Sequence, residues 1–142
     1  PRPKPGQTHP ATRTFQALRI AVNDELGQLV SGLRAAENIL REGGMLAVVT
    51  FHSLEDRIVK RFIQARSGNN PRGNRYQPEK INDIATFEKI GRKAISATKD
   101  EISSNPRARS AKLRLARRLN TISGEFSAFD IGLPKFNLGQ LV

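Results

Sequence analysis

Gly43-Gly44-Met45-Leu46-Ala47-Val48-Val49-Thr50-Phe51 runs directly into His52-Ser53-Leu54-Glu55-Asp56. A continuous apolar run rich in β-branched residues, launched from a glycine pair, reads as a strand covered on both faces. That is the pattern of a parallel sheet, not of a half-exposed hairpin. The residues after the strand fit a helix start, with Ser53 as N-cap and two acids in the first turn, where they meet the positive end of the helix dipole. Leu54, Ile58, Val59, Phe62 and Ile63 then form an apolar stripe that ends near Arg66, before Gly68.

Upstream, Phe15, Leu18, Val22, Leu26, Leu29, Leu33, Ala36 and Leu40 recur every three or four residues. This spacing predicts one long helix from Pro10 or Ala11 to Arg41, stopped by the glycine pair. Gly27 and Gly32 lie off the stripe and allow a bend. The order helix, buried strand, helix is half of an α/β unit. Ahead of it, residues 1–10 are a Pro-rich linker, so the chain reads as a piece of a longer protein.

Downstream, Ser67 to Glu79 is a basic polar loop and Phe87 to Thr98 supports a strand. Lys99 to Arg109 reads as a polar connection. Ala111, Leu113, Leu115, Arg117 and Leu119 alternate with Lys112, Arg114, Ala116 and Arg118, predicting a strand with one core face and one basic face. Residues 11–120 thus form the folded part. Residues 121–142 are an apolar tail, with Phe126, Phe129, Ile131, Leu133, Phe136, Leu138 and Leu141 spread among Gly and Pro.

The 24 Lys and Arg outnumber the 13 acids, for a net charge of +11. This favours a polyanionic partner, because each cation placed at a phosphate releases a condensed counterion. With no cysteine, disulfides, thiolate zinc sites and cysteine nucleophiles are excluded. The expectation is a cytoplasmic protein: no apolar run reaches the roughly 20 residues of a membrane span. With two distant histidines, His9 and His52, the spacing suggests no metal site. No phosphate-binding loop, dinucleotide glycine fingerprint or serine elbow occurs; Gly43-Gly44 precedes its strand and cannot cradle a nucleotide.

Ligands of open parallel sheets bind beyond the carboxyl ends of the strands, where His52 and Ser53 lie. Capping for Ser53, and a first-turn dipole role for Glu55 and Asp56, are the plainer readings of those residues.

Three segments carry a resemblance. They are His9 through Asn23 (His-Pro-Ala-Thr-Arg-Thr-Phe-Gln-Ala-Leu-Arg-Ile-Ala-Val-Asn), Gly43-Gly44 with Thr50-Phe51-His52-Ser53-Leu54-Glu55-Asp56-Arg57-Ile58-Val59-Lys60, and Asn105-Pro106-Arg107-Ala108-Arg109-Ser110-Ala111-Lys112-Leu113-Arg114. In this order they resemble the bacterial small-subunit (16S) ribosomal RNA cytosine-N4 methyltransferase family, the MraW family, in its C-terminal portion. The last 22 residues match no pattern of that family.

The resemblance implies a class I, Rossmann-like fold dependent on S-adenosylmethionine. In it the long helix leaves an insertion domain, Met45 to Phe51 is the fifth strand, and two further strands, one antiparallel, complete the sheet. The donor-binding glycine loop belongs to the family's N-terminal part, so the donor would be gripped outside these residues and the fragment alone would be inactive. The implied reaction methylates the exocyclic amine of a cytidine in the decoding region. His52 and Ser53 would shape the base pocket, and Arg13, Arg19, Arg57, Arg107 and Arg109 would hold RNA phosphates. Against these arginine roles stands ordinary surface salt bridging. Two rival readings remain: a stand-alone RNA-binding or ribosome-associated module without catalysis, and an interaction fragment. A sheet cut beside its central strands also predicts self-association through its open edge or the tail.

Overall fold

The computed structural model describes residues 10–68, 85–124 and 131. The linker up to residue 9, most of the polar loop and the tail apart from Ile131 lie outside the described residues. The elements are α1 (Pro10–Asn23), α2 (Glu25–Ile39), β1 (Met45–Thr50), α3 (Ser53–Arg66), β2 (Phe87–Ser96), α4 (Lys99–Ser104), a 3-10 turn (Pro106–Ser110) and β3 (Lys112–Arg118).

The predicted long helix is two helices. Asp24 breaks it, with φ 47° and ψ 41° in the left-handed region that Asp enters more readily than most residues. Gly27 makes room for this: a Cβ there would sit 2.3 Å from an Asp24 carboxylate oxygen. The glycine therefore acts three residues before itself. Leu26, Val30 and Leu33 of α2 are buried, and Leu29, Ala36 and Leu40 pack against them. On α1, by contrast, Ile20 is buried while Phe15, Leu18 and Val22 of the expected stripe are 55–83% exposed.

The sheet has the order β1-β3-β2, and β3 runs antiparallel to both neighbours. Among the described residues β1 is therefore an edge strand with an antiparallel partner, not a strand flanked by parallel ones. Its inward residues Leu46 and Thr50 are buried, whereas Met45 and Val49 are about half exposed. The outer face is apolar, as the sequence predicted, but no described element covers it. β1 and β2 point the same way with β3 inserted between them in reverse.

Helix α3 lies across all three strands and against α2. Its Ile58, Val59, Phe62 and Ile63 join Leu46, Phe87, Ala116 and Ile131 in the core. The Phe62 and Phe87 rings meet at 6.0 Å and 59°. Within the tail, Ile131 is fully buried.

The faces of β3 are assigned opposite to expectation. Ala116 and Arg118 are buried and the Arg114 side chain is nearly so, while Arg117 is exposed. The face carrying the extra cations is the one against α3. It tolerates them because each guanidinium is satisfied. Arg118 donates to the carbonyls of Glu37, Thr86, Leu119 and Thr121 at 2.8–3.0 Å and lies over the Phe87 ring. Buried Glu37 accepts from the Thr86 hydroxyl and pairs with Arg66 at 3.1 Å. The expected polar connection is also more ordered than predicted: Thr98 caps α4 by accepting from the Glu101 amide at 3.2 Å.

Candidate functional site

The turn after β1 is built around His52, not Ser53. His52 has extended backbone and is itself the N-cap of α3: its Nδ1 accepts from the Glu55 amide at 3.4 Å. Glu55 Oε2 reciprocates by accepting from the amides of His52 at 3.2 Å and Phe51 at 2.9 Å. This capping box sits one residue earlier than the Ser-based reading placed it, because the imidazole supplies the acceptor that a hydroxyl normally would. Ser53 is instead the first residue of the helix, exposed, and its hydroxyl makes no hydrogen bond among the described residues.

The cap also fixes the tautomer of neutral His52. With Nδ1 accepting, the proton resides on Nε2. That atom is buried and lies 3.3 Å from Glu55 Oε1, in an alignment that makes no hydrogen bond. Glu25 approaches the same place, with one ligand-type atom each from Glu25, His52 and Glu55 within 4.8 Å of one another. The donor set does not suit a cation, because an Nε2 that carries hydrogen has no lone pair to give a metal. The cluster ties the start of α2 to the end of β1.

Arg19 completes this chain of groups. It donates to both Glu25 carboxylate oxygens, at 2.7 and 3.2 Å, spanning the break at Asp24. The guanidinium, through its hydrogen bonds, holds the Glu25 carboxyl below the usual carboxylate range. Arg19 is thus already paired. One turn into α3, Asp56 accepts a fork from Arg114 at 2.8 and 3.1 Å and faces Lys112 at 3.6 Å. Its carboxyl is likewise held low, first by the Arg114 hydrogen bonds and then, against the opposing effect of burial, by the charges of Arg114 and Lys112.

Arg107 and Arg109 project from the 3-10 turn on either side of buried Ala108. Asn105 caps that turn by accepting from the Arg107 amide at 3.2 Å. The turn feeds β3 at Lys112, which sits opposite Thr50 at the end of β1, and the Thr50 hydroxyl donates to the Lys112 carbonyl at 3.3 Å. His52, Ser53, Arg107 and Arg109 therefore leave the same end of the sheet. Arg57 is exposed on α3 just beyond, and Arg19 reaches the cluster through Glu25. Arg13 is exposed on α1 with no contact that brings it to this end among the described residues.

Reading the sequence missed Glu25 and the cap function of Glu55. The second was available in the spacing His52-x-x-Glu55; the first depends on a helix break that the periodicity conceals.

The chain matches the model of the MraW methylase family over residues 1–119. It is 57% identical over 140 residues to the ribosomal RNA small subunit methyltransferase H of Roseobacter denitrificans, covering 99% of this chain and 42% of that protein. Proteins of the same name from Cereibacter sphaeroides and Dinoroseobacter shibae are 59% and 60% identical over 134 residues, 94% of this chain and 40% of each relative. The chain spans about two fifths of the length of these relatives. With the family pattern running through nearly every described element, from α1 to the end of β3, the chain belongs to the MraW methylase family.

Proposed function

We propose that the protein containing this chain transfers a methyl group from S-adenosylmethionine to the exocyclic N4 amine of a cytidine in the decoding region of small-subunit ribosomal RNA. The observation that carries this reading is the 57% identity to a small-subunit rRNA methyltransferase, sustained over 99% of the chain. In this reading residues 11–120 are the C-terminal part of a Rossmann-like methyltransferase domain, residues 1–10 link it to preceding structure, and residues 121–142 are an appended tail. The reversed strand β3 between two co-directional strands supports that assignment.

Among the described residues no glycine turn follows a strand to cradle a donor; the paired glycines precede β1 and hold the turn into it. The donor is assigned to the part of the longer protein beyond this chain. What this chain supplies is the base side. The N4 lone pair of cytosine is delocalised into the ring, so the amine must be oriented, its hydrogens accepted and water excluded. The target must also be swung out of its stack. The unengaged Ser53 hydroxyl is the group placed to hydrogen-bond the base. His52, both of whose polar edges face Glu55, acts as a positioning residue that sets the direction of the turn. Arg57, Arg107 and Arg109 hold phosphates around it, Arg13 meets RNA separately on α1, and paired Arg19 braces the hinge.

Incubation of the full-length protein with labelled S-adenosylmethionine and unmodified small subunits, followed by nucleoside analysis, tests the reaction. N4-methylated cytidine is expected; binding without transfer, or methylation at another atom, overturns it. Calorimetric titration of the isolated chain with the donor is expected to show no tight binding. Sub-micromolar affinity would move the donor site into these residues.

A further inference from the structure

Away from the strand end, the β2–β3 pairing slips. Ile90 faces Leu115 and Ile95 faces Leu113, so five steps on β2 match two on β3 and the segment between them bulges out. Gly91, at φ 75°, starts this bulge in a conformation that side chains resist, and Arg92 and Lys93 are exposed on it. Lys60 of α3, Lys89 of β2, bulge residue Lys93 and Arg114 of β3 line one shallow depression, floored by Ile63, Ile90 and Leu115.

Its charge is unbalanced. Arg114 is neutralised by Asp56, but among the described residues no acid pairs with Lys60, Lys89 or Lys93. Bringing three ammonium groups to one place is repulsive, and the described residues offer no compensating acid. The enclosed volume is only about 10 Å³, so the depression does not bury a nucleobase or a small metabolite. Ammonium groups around an opening too small for a base suit the oxygens of a phosphodiester backbone, which lysine meets as a point charge without reading sequence.

Lys89 lies opposite Ala116, four residues along β3 from Lys112 at the strand end, or about 13 Å at the usual rise. We propose that Lys60, Lys89 and Lys93 form a second phosphate-contacting surface, over which the RNA backbone beside the target continues after leaving the Arg107–Arg109 end. The proposal rests on the RNA substrate assigned above and adds a track along the β2 edge that holds flanking RNA without touching the reacting base.

The test uses full-length protein and protein-free small-subunit rRNA, with affinity measured across a salt series. Replacing all three lysines by alanine (K60A, K89A, K93A) is expected to reduce the log–log salt slope by about 2–3, at about 0.7–0.9 per lost contact. The all-arginine variant (K60R, K89R, K93R) retains the parent slope, which separates charge from folding. An alanine variant with the parent slope overturns the track. So does a defect seen only with assembled subunits and not with free rRNA, which assigns the surface to an acidic protein. If the parent protein itself shows no salt-dependent binding to the RNA, the substrate reading fails instead.

Discussion

His52 occupies the position where sequence reasoning looks for a catalyst, yet its ring is the N-cap of α3. Replacing it with alanine removes one acceptor from the helix start and is expected to lower stability by about 1 kcal/mol in denaturant melts, whereas His52→Asn restores an acceptor and most of that loss. If His52→Asn melts like the parent but loses methyl transfer, Nε2 has a role beyond positioning; if both follow stability, the cap is its whole contribution. Asp56 gives a pH signature. Its folded-state pKa is depressed by Arg114, so its contribution is fully present above the unfolded Asp value of about 3.9 and lost as pH falls through the folded value. Asp56→Asn is therefore expected to cost about 1–3 kcal/mol at neutral pH, with the gap to the parent closing in acid. A gap unchanged by acid would detach the effect from the carboxylate.

At the level of elements, the Asp24 break separates α1, which leaves Phe15, Leu18 and Val22 exposed, from α2, which buries Leu26, Val30 and Leu33. Gly27→Ala is expected to destabilise the protein, because its Cβ collides with the Asp24 carboxylate. In an Asp24→Gly background the collision is gone and the left-handed position is relaxed, so the same change becomes stabilising by up to about 1 kcal/mol. A double-mutant cycle by thermal melting checks this, and additive effects would refute the contact. Much of this architecture was legible. The stripe of α2, the strand at Met45, the span of α3 and the alternation of β3 all follow from side-chain period, because burial of one face imposes it. The break was not legible, since the apolar period runs through Asp24 undisturbed and only backbone sterics interrupt it. Nor was the inward face of β3. Alternation shows that two faces differ, but what makes Arg114 and Arg118 buriable is Asp56 and the carbonyls of Glu37 and Thr86, all remote in sequence. The Arg107–Arg109 motif is legible in the sequence, but its neighbourhood with His52 and Ser53 depends on the register between β1 and β3.

For the molecule as a whole, one face of the sheet is closed by α3 and the other shows Met45, Val49 and Ile95, each about half exposed, beside the open edge of β1. Relatives more than twice as long have further chain to place against such a surface, but the 142 residues alone do not cover it with any described element. The isolated chain is therefore expected to scatter light as a species heavier than its 15.7 kDa, increasingly so with concentration. Val49→Lys together with Ile95→Lys should return it toward the monomer mass. A clean monomer from the unmodified chain removes this expectation.

The central strand of the described sheet is also the last to be synthesised. β2 pairs only with β3, and the guanidinium that gathers the end of α2 and the entry to β2 belongs to Arg118, at the close of β3. While the chain is still emerging from the ribosome, β1 and β2 have no β3 to join them, and the Glu37 carbonyl at the end of α2 lacks its Arg118 donor until translation has passed residue 118. β1 therefore stays without its described partner strand until the 68 residues from Phe51 through Arg118 have been made.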